Sequence, residues 1–310
     1  MTHPNLTKFA WLSIAAALLT IGLKAGAWLL TGSVGLLSDA AESVVNLVAA
    51  IVALLMLRIA ARPPDEDHNF GHTKAEFFSA AVEGGMIFVA ALAIIISAVD
   101  RFIHPQPLEN VGIGLLISVV ASLINGAVAL VLLRAGREHR SLTLKADGKH
   151  LMTDVWTSAG VLVGVLLVKL TGWDRLDSIV AFAVGVNIVI AGFKLVAEST
   201  HGLMDPTLPA EENAAIVAVL LKHTTDDVMF HGLRTRSAGR HGFATFDALV
   251  PGSWSVQKAH DLVEVIEADI RAEVEAVELR IHIEPREDPR AYGDHPVEIP
   301  ITEPEAADAS

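Results

Sequence analysis

The chain has no cysteine among its 310 residues, so no metal ion can be held by thiolates, and a soft Cu(I) site of that kind is excluded. Charge is scarce as well. Asp, Glu, Lys and Arg make up only 19% of the residues, less than an ordinary soluble domain carries. No HExxH-like spacing occurs anywhere, which removes the usual signature of a helical zinc hydrolase. The first apolar run lacks a small-residue cleavage site and is too long for a leader, so it is expected to remain as a helix.

What is present in excess is apolar sequence, 52% of the chain. It is gathered into six runs, approximately Lys8 to Leu30, Gly35 to Leu57, Ala75 to Phe102, Gly112 to Leu133, Ala146 to Leu170 and Asp177 to Glu198. Each exceeds the roughly 20 residues needed to cross the hydrocarbon core of a bilayer. Lys8, Arg58, Arg62, Lys74, Arg134, Arg137, Arg140, Lys145 and Lys149 fall on one side of this arrangement, and Arg101, Lys169 and Arg175 on the other. The bias places both termini in the cytoplasm, with the protein spanning the inner (cell) membrane. Trp11, Trp28 and Trp173 lie near predicted helix ends, where amphipathic rings favour the interface.

After about Thr200 the apolar runs shorten. Leu208 to His223 reads as a helix, Val228 to Arg236 and Gly242 to Val250 as strands, Ser255 to Glu273 as a helix and Val277 to Ile283 as a strand. The expected architecture is therefore a six-helix transmembrane domain over residues 1–205 and a small α+β domain of order α-β-β-α-β over 206–287. An acidic tail over 288–310 is expected to be disordered, and it contributes to the net charge of −13.

Two of the apolar runs carry polar pairs: Glu42 and Asn46 in the second, His150 and Asp154 in the fifth. Residues four apart lie one above the other on a helix face, so each pair can converge on one point between helices. A carboxylate near the bilayer centre costs roughly 2.5–3.5 kcal/mol, so Glu42 and Asp154 together cost about 5 to 7 kcal/mol unless something compensates. A bound divalent cation would compensate; hydrogen bonds that merely hold the bundle together are the alternative.

The residues around these pairs resemble those of the cation diffusion facilitators, dimeric proton-coupled exporters of divalent transition metals. Four stretches match in order and spacing: Gly32 to Glu42, His68 to Glu76, Lys145 to His150 with Asp154, and Gly232 to Arg236. The likeness runs from about Lys8 to Pro285. It implies a transport site at Glu42, Asn46, His150 and Asp154. Family members mostly have Asp or His where Glu42 stands and Asp where Asn46 stands. The amide keeps an oxygen donor but removes a charge, and Glu reaches one methylene further. The resulting nitrogen and oxygen set suits Zn²⁺, the expected substrate, and also Mn²⁺, Fe²⁺ or Co²⁺.

The same resemblance implies a loop metal site at Asp65, His68 and His72, for which a solvated acidic loop with incidental histidines is the alternative. It implies an ion pair between Lys74 and Asp205 that ties the two domains, and a binuclear metal site in the cytoplasmic domain at His231, Asp247, His260, His282 and Glu284. Asp247 there replaces a common His. His282 and Glu284 share one face of their strand by the period of two. Asp39, one turn before Glu42, is expected either to accept a hydrogen bond from a ligand and carry protons, or to cap or pair near the helix start. His223 and His241 are expected as surface residues. The implied partners are divalent ions, protons, the bilayer and a second copy of the chain, with no nucleic acid. Alternating access is the implied mechanism, with metal and protons competing for the same ligands. Two other classes stay open: an intramembrane metallo-hydrolase using His150 and Asp154 with a metal-bound water, and a metal-sensing scaffold using the cytoplasmic histidines alone.

Overall fold

The computed structural model describes residues 6–31, 34–104, 112–173, 175–293 and 297–302, with the side chains at 30–31, 34–42, 112–115, 161, 165, 169 and 177 outside that description. The chain divides into two units, Met1–His201 and Gly202–Ser310.

The first unit is built from α1 (Thr7–Thr31), α2 (Val34–Ala60), α3 (Ala75–Ile103), α4 (Gly112–Glu138), α5 (Leu142–Thr171) and α6 (Arg175–Leu203). All six contain a stretch long and apolar enough to cross a membrane. The helices outrun the apolar runs because hydropathy marks only the hydrocarbon layer. At α5 the local reason is a cap: Ser141 Oγ accepts from the Leu144 backbone N–H at 3.4 Å, so the helix opens at Leu142 and not at Ala146. Gly172, at φ +72°, closes it in the left-handed conformation that favours glycine.

Residue placement in this unit is the reverse of that in a water-soluble bundle. Leu29, Ile96, Leu170 and Phe193 are each at least 67% exposed, whereas Ser13, Lys24, Asn46, Ser79, Glu83, Asn125, Asp147 and His150 are buried. Such a surface suits lipid, and the polar groups it hides have to be satisfied within the bundle. Ala10, Ile14, Ala50, Leu54, Ala129, Leu132, Leu144 and Leu151 pack α1, α2, α4 and α5 together. Glycine brings α3 and α6 into backbone contact. A Cβ added at Gly84 would lie 3.2 Å from the Gly192 carbonyl oxygen, and one at Gly192 would lie 3.1 Å from that of Gly84.

The second unit contains α7 (Ala210–His223), β1 (Met229–Ala238), β2 (His241–Val250), α8 (Val256–Glu273) and β3 (Val277–Pro285). The sheet order is β1-β2-β3, with β2 antiparallel to β1 and parallel to β3. Gly239, at φ +68°, opens the two-residue β1–β2 hairpin turn. One face of the sheet packs on Ile216 and Leu220 of α7 and on Ala259, Ile266 and Ile270 of α8, around Phe246 and Leu233.

Two expectations change here. The segment after 288 is not wholly disordered: Pro289–Tyr292 form one 3-10 turn, and Ile299 donates its backbone N–H to Leu233 O at 2.8 Å. Ile299 and Ile301 pack against the domain core, and Glu298 Oε2 accepts from the Gly232 N–H at 2.7 Å. Composition reads this stretch as acidic, but two spaced isoleucines suffice to dock it. Residues 303–310 lie outside the described residues. His223, expected as a surface residue, is only 17% exposed at its side chain and bonds Asp269 Oδ2 at 2.9 Å, joining α7 to α8. That hydrogen bond, aided by Lys222, holds the Asp269 carboxyl below its ordinary range.

Because the α3–α6 contact has no room for a side chain, Gly192→Leu is expected to destabilise the bundle by about 1–3 kcal/mol through overpacking, whereas Gly26→Leu, at a site with nothing within 4 Å of the added Cβ, should be tolerated. Thermal unfolding of the two detergent-solubilised variants checks this; equal melting temperatures would contradict the close approach.

Candidate metal centres

Three of the four expected transport-site residues fall within the described side chains, and the fold brings them together. Asn46 comes from the middle of α2, and His150 and Asp154 come from successive turns of α5. Asn46 Oδ1 lies 2.9 Å from His150 Nε2, and Asn46 Nδ2 donates to Asp154 Oδ2. One amide thus bridges an imidazole and a carboxylate. Since the amide oxygen can only accept, His150 carries its proton on Nε2 in this arrangement. Its Nδ1 is buried without a hydrogen-bond partner among the described residues. Glu42 stands one turn earlier on α2 and Asp39 one turn before that; the side chains of both lie outside the described residues.

Around this trio the bundle places groups that the spacing argument missed. Asn125 of α4, 2% exposed, donates from Nδ2 to Asp154 Oδ2 at 3.3 Å. Lys24 of α1 is also buried, and its charge acts on Asp154. One turn from His150, Asp147 accepts from Ser13 Oγ of α1 at 3.1 Å, and on α3 Glu83 accepts from Ser79 Oγ at 3.0 Å. Both of these carboxylates are fully buried, and each leaves its second oxygen without a hydrogen bond among the described residues. Lys24, Glu83 and Asn125 are isolated charged or amide letters inside apolar runs, the sequence signal that could have found them.

In the α2–α3 loop the fold brings Asp65, His68 and His72 together. Asp65 reaches His68 Nδ1 at 3.1 Å and His72 Nε2 at 3.2 Å, and the imidazole rings lie 4.4 Å apart. The backbone N–H groups of Asp67 and His68 also donate to Asp65 Oδ1, at 3.1 and 2.7 Å, which fixes the carboxylate in place. Desolvation raises the Asp65 pKa, but the His68 backbone and ring, with His72, outweigh it, so the carboxyl stays below its usual range. It is thereby kept in the anionic form that a cation needs.

In the second unit the strand register lines up His231 opposite Asp247 on the neighbouring strand, and Asp247 opposite His282 on the next. His231 Nε2 lies 3.3 Å from Glu284 Oε2 and 3.9 Å from Asp247 Oδ2. His282 Nδ1 lies 3.5 Å from Glu284 Oε1 and 3.7 Å from Asp247 Oδ1. Ligand atoms of His231, Asp247 and Glu284 fall within 4.8 Å of one another, a spacing that one ion can draw together. His260 does not join them: it is exposed on α8 and faces Glu264 at 3.9 Å. The reason lies in α8, whose inward stripe of Ala259, Val263, Ile266 and Ile270 turns residue 260 away from the core. Asp205 pairs with Arg236 Nη1 at 3.5 Å.

Residues 10–204 match the cation efflux transmembrane domain, and residues 208–286 match the cation efflux protein cytoplasmic domain. The chain belongs to the cation diffusion facilitator family. A transporter of Synechocystis sp. is 49% identical over 98% of both chains. The cation-efflux pump FieF of Shewanella oneidensis is 31% identical over 88% of this chain and 92% of its own. Among solved structures, the metal-bound C-terminal domain of the CzcD transporter from Thermotoga maritima is 30% identical, covering 25% of this chain and 90% of its own, with a TM-score of 0.23. As a cation diffusion facilitator this protein is a multi-pass membrane transporter for divalent metal cations, with a C-terminal cytoplasmic domain of the family's dimerisation type. It is not an enzyme. Family membership therefore closes the two alternatives left by the sequence, the intramembrane metallo-hydrolase and the sensing scaffold.

If the cytoplasmic cluster holds an ion, Asp247→Ala with Glu284→Ala should weaken Zn²⁺ binding there by at least about tenfold and lower the ion stoichiometry of the purified protein in calorimetric titration. His260→Ala, at a residue the structure keeps apart, should change neither quantity. The reverse pattern would refute the assignment.

Proposed function

We propose that this cation diffusion facilitator exports divalent transition-metal ions in exchange for protons, with Zn²⁺ as its main substrate and Mn²⁺, Fe²⁺ and Co²⁺ as further cargo. The observation that supports this reading is the buried network in which Asn46 joins His150 to Asp154. Its donors are one imidazole and several oxygens, a set that Zn²⁺ accepts and that harder divalent ions accept as well. Glu42 is proposed as the fourth donor and Asp39 as a proton carrier beside it.

The Asn46 amide N–H satisfies the carboxylate, and its oxygen satisfies the imidazole. An arriving cation breaks both hydrogen bonds and takes the oxygen lone pairs, and it takes the Nε2 lone pair once the Nε2 proton has moved to Nδ1. Imidazole and carboxylates coordinate only when deprotonated, so metal and protons compete for the same atoms, and this competition couples their opposite fluxes. Opening the bundle alternately to the two sides of the membrane then releases the ion outward and readmits protons.

The Asp65, His68 and His72 loop is proposed as an accessory ion site. The cytoplasmic cluster of His231, Asp247, His282 and Glu284, without His260, is proposed to steady a homodimer when metal is abundant. Lys74 is proposed to pair with Asp205 across the two domains. Both termini are placed in the cytoplasm by the distribution of Lys and Arg, in the inner (cell) membrane.

In liposomes loaded with a metal-sensitive dye, wild-type protein is expected to transport Zn²⁺, faster when an opposing proton gradient is imposed. Asp154→Ala should abolish transport while leaving the protein folded. Undiminished transport by Asp154→Ala would sink the site assignment; indifference to the proton gradient would sink the antiport.

A further inference from the structure

Asn125 is a group at the transport site that neither helix pairing nor the family resemblance supplies. It comes from α4, whereas the expected donors come from α2 and α5. Its amide is 2% exposed, and its Nδ2 lies 3.3 Å from Asp154 Oδ2. Its Oδ1 is buried and has no hydrogen-bond partner among the described residues. A buried amide oxygen left unpaired carries a desolvation penalty. A position that serves only to hold helices together has no reason to keep such an atom.

We infer that Asn125 is a further cation ligand, a fifth donor that determines which metals the transport site accepts. The terminal torsion of Asn is broad and roughly two-fold, so a half-turn of the amide exchanges its nitrogen and oxygen. Oδ1 then occupies the place of Nδ2, beside Asp154 Oδ2. Two oxygens bound to one ion at about 2.1 Å lie about 3 to 3.5 Å apart, and the observed 3.3 Å between Nδ2 and Oδ2 falls in that range. The rotation is unfavourable without a cation, because two oxygens would then face each other, and favourable with one. The same amide thus donates to Asp154 when the site is empty and ligates when it is full.

The consequence is selectivity. Four donors complete a tetrahedral Zn²⁺ site, whereas a fifth, neutral oxygen favours ions that take five or six hard ligands, such as Mn²⁺. Asn46 and Asn125 add two uncharged oxygens, so the donor number rises without further buried charge. This inference rests on the transport-site reading above and concerns which ions that site prefers.

The test compares Mn²⁺ and Zn²⁺ transport by the full-length chain in dye-loaded liposomes. Asn125→Ala should raise the KM for Mn²⁺ about tenfold while moving that for Zn²⁺ less than about twofold, with little change in kcat. Asn125→Asp, which keeps an oxygen at the same reach, should restore Mn²⁺ affinity. Calorimetric binding of Mn²⁺ to the solubilised variants gives the same comparison without transport. Equal losses for the two metals in Asn125→Ala, or failure of Asn125→Asp to recover Mn²⁺ binding, would reduce Asn125 to a packing residue and overturn the inference alone. Full transport by Asp154→Ala would overturn the site and the inference together.

Discussion

A carboxylate held inside a lipid-facing bundle is the constraint around which the membrane domain is organised. Asp154 sits where an unpaired charge is strongly disfavoured, and the neighbouring helices answer it. Asn46 of α2 and Asn125 of α4 donate to the same oxygen, and the charge of Lys24 on α1 acts on it. Three of the six helices are thereby joined at one carboxyl group, and the charge of a fourth acts on it. The apolar cluster of α1, α2, α4 and α5 surrounds the same place, so packing and polar satisfaction reinforce each other. Hydrogen bonds from two amides and the nearby charge of an ammonium thus share the work of holding one carboxylate inside the bundle.

The interior polar groups extend beyond that point. Asp147 with Ser13, Glu83 with Ser79, and Glu76 with Ser141 and the Thr143 N–H continue along α3 and α5 toward the end where the α2–α3 loop lies. Each acid is anchored through one oxygen by a serine hydroxyl. Hydroxyls can donate to a carboxylate and still turn to accept when that carboxylate is protonated. Such pairs tolerate changes of charge that a fixed ion pair would resist.

How far this was readable from the chain depends on what kind of signal each part sends. The six spans follow from run length alone, and the His150 and Asp154 pair from helical spacing within one run. Strand positions of the cytoplasmic domain followed from alternation, and His231, Asp247 and His282 meet because the register aligns them. Asn125, Lys24 and Glu83 left no such spacing signal. Each is an isolated charged or amide residue within the apolar stretch of its helix, and only the packing of that helix decides whether it faces the site or another seam. His260 failed for a related reason: the resemblance supplied its residue type, but the stripe of α8 that packs on the sheet sets its direction. The docked segment at Glu298 and Ile299 was hidden by composition, because a few contacts suffice to order an acidic stretch.

Gly84 and Gly192 let the backbones of α3 and α6 approach closely, with Val196 and Ile87 flanking the contact. Side chains let neighbouring helices slide by exchanging rotamers, and a contact made largely by backbone has fewer such adjustments to offer. Glu83 is the residue before Gly84, so the place of a buried carboxylate is set by how closely α3 and α6 approach each other.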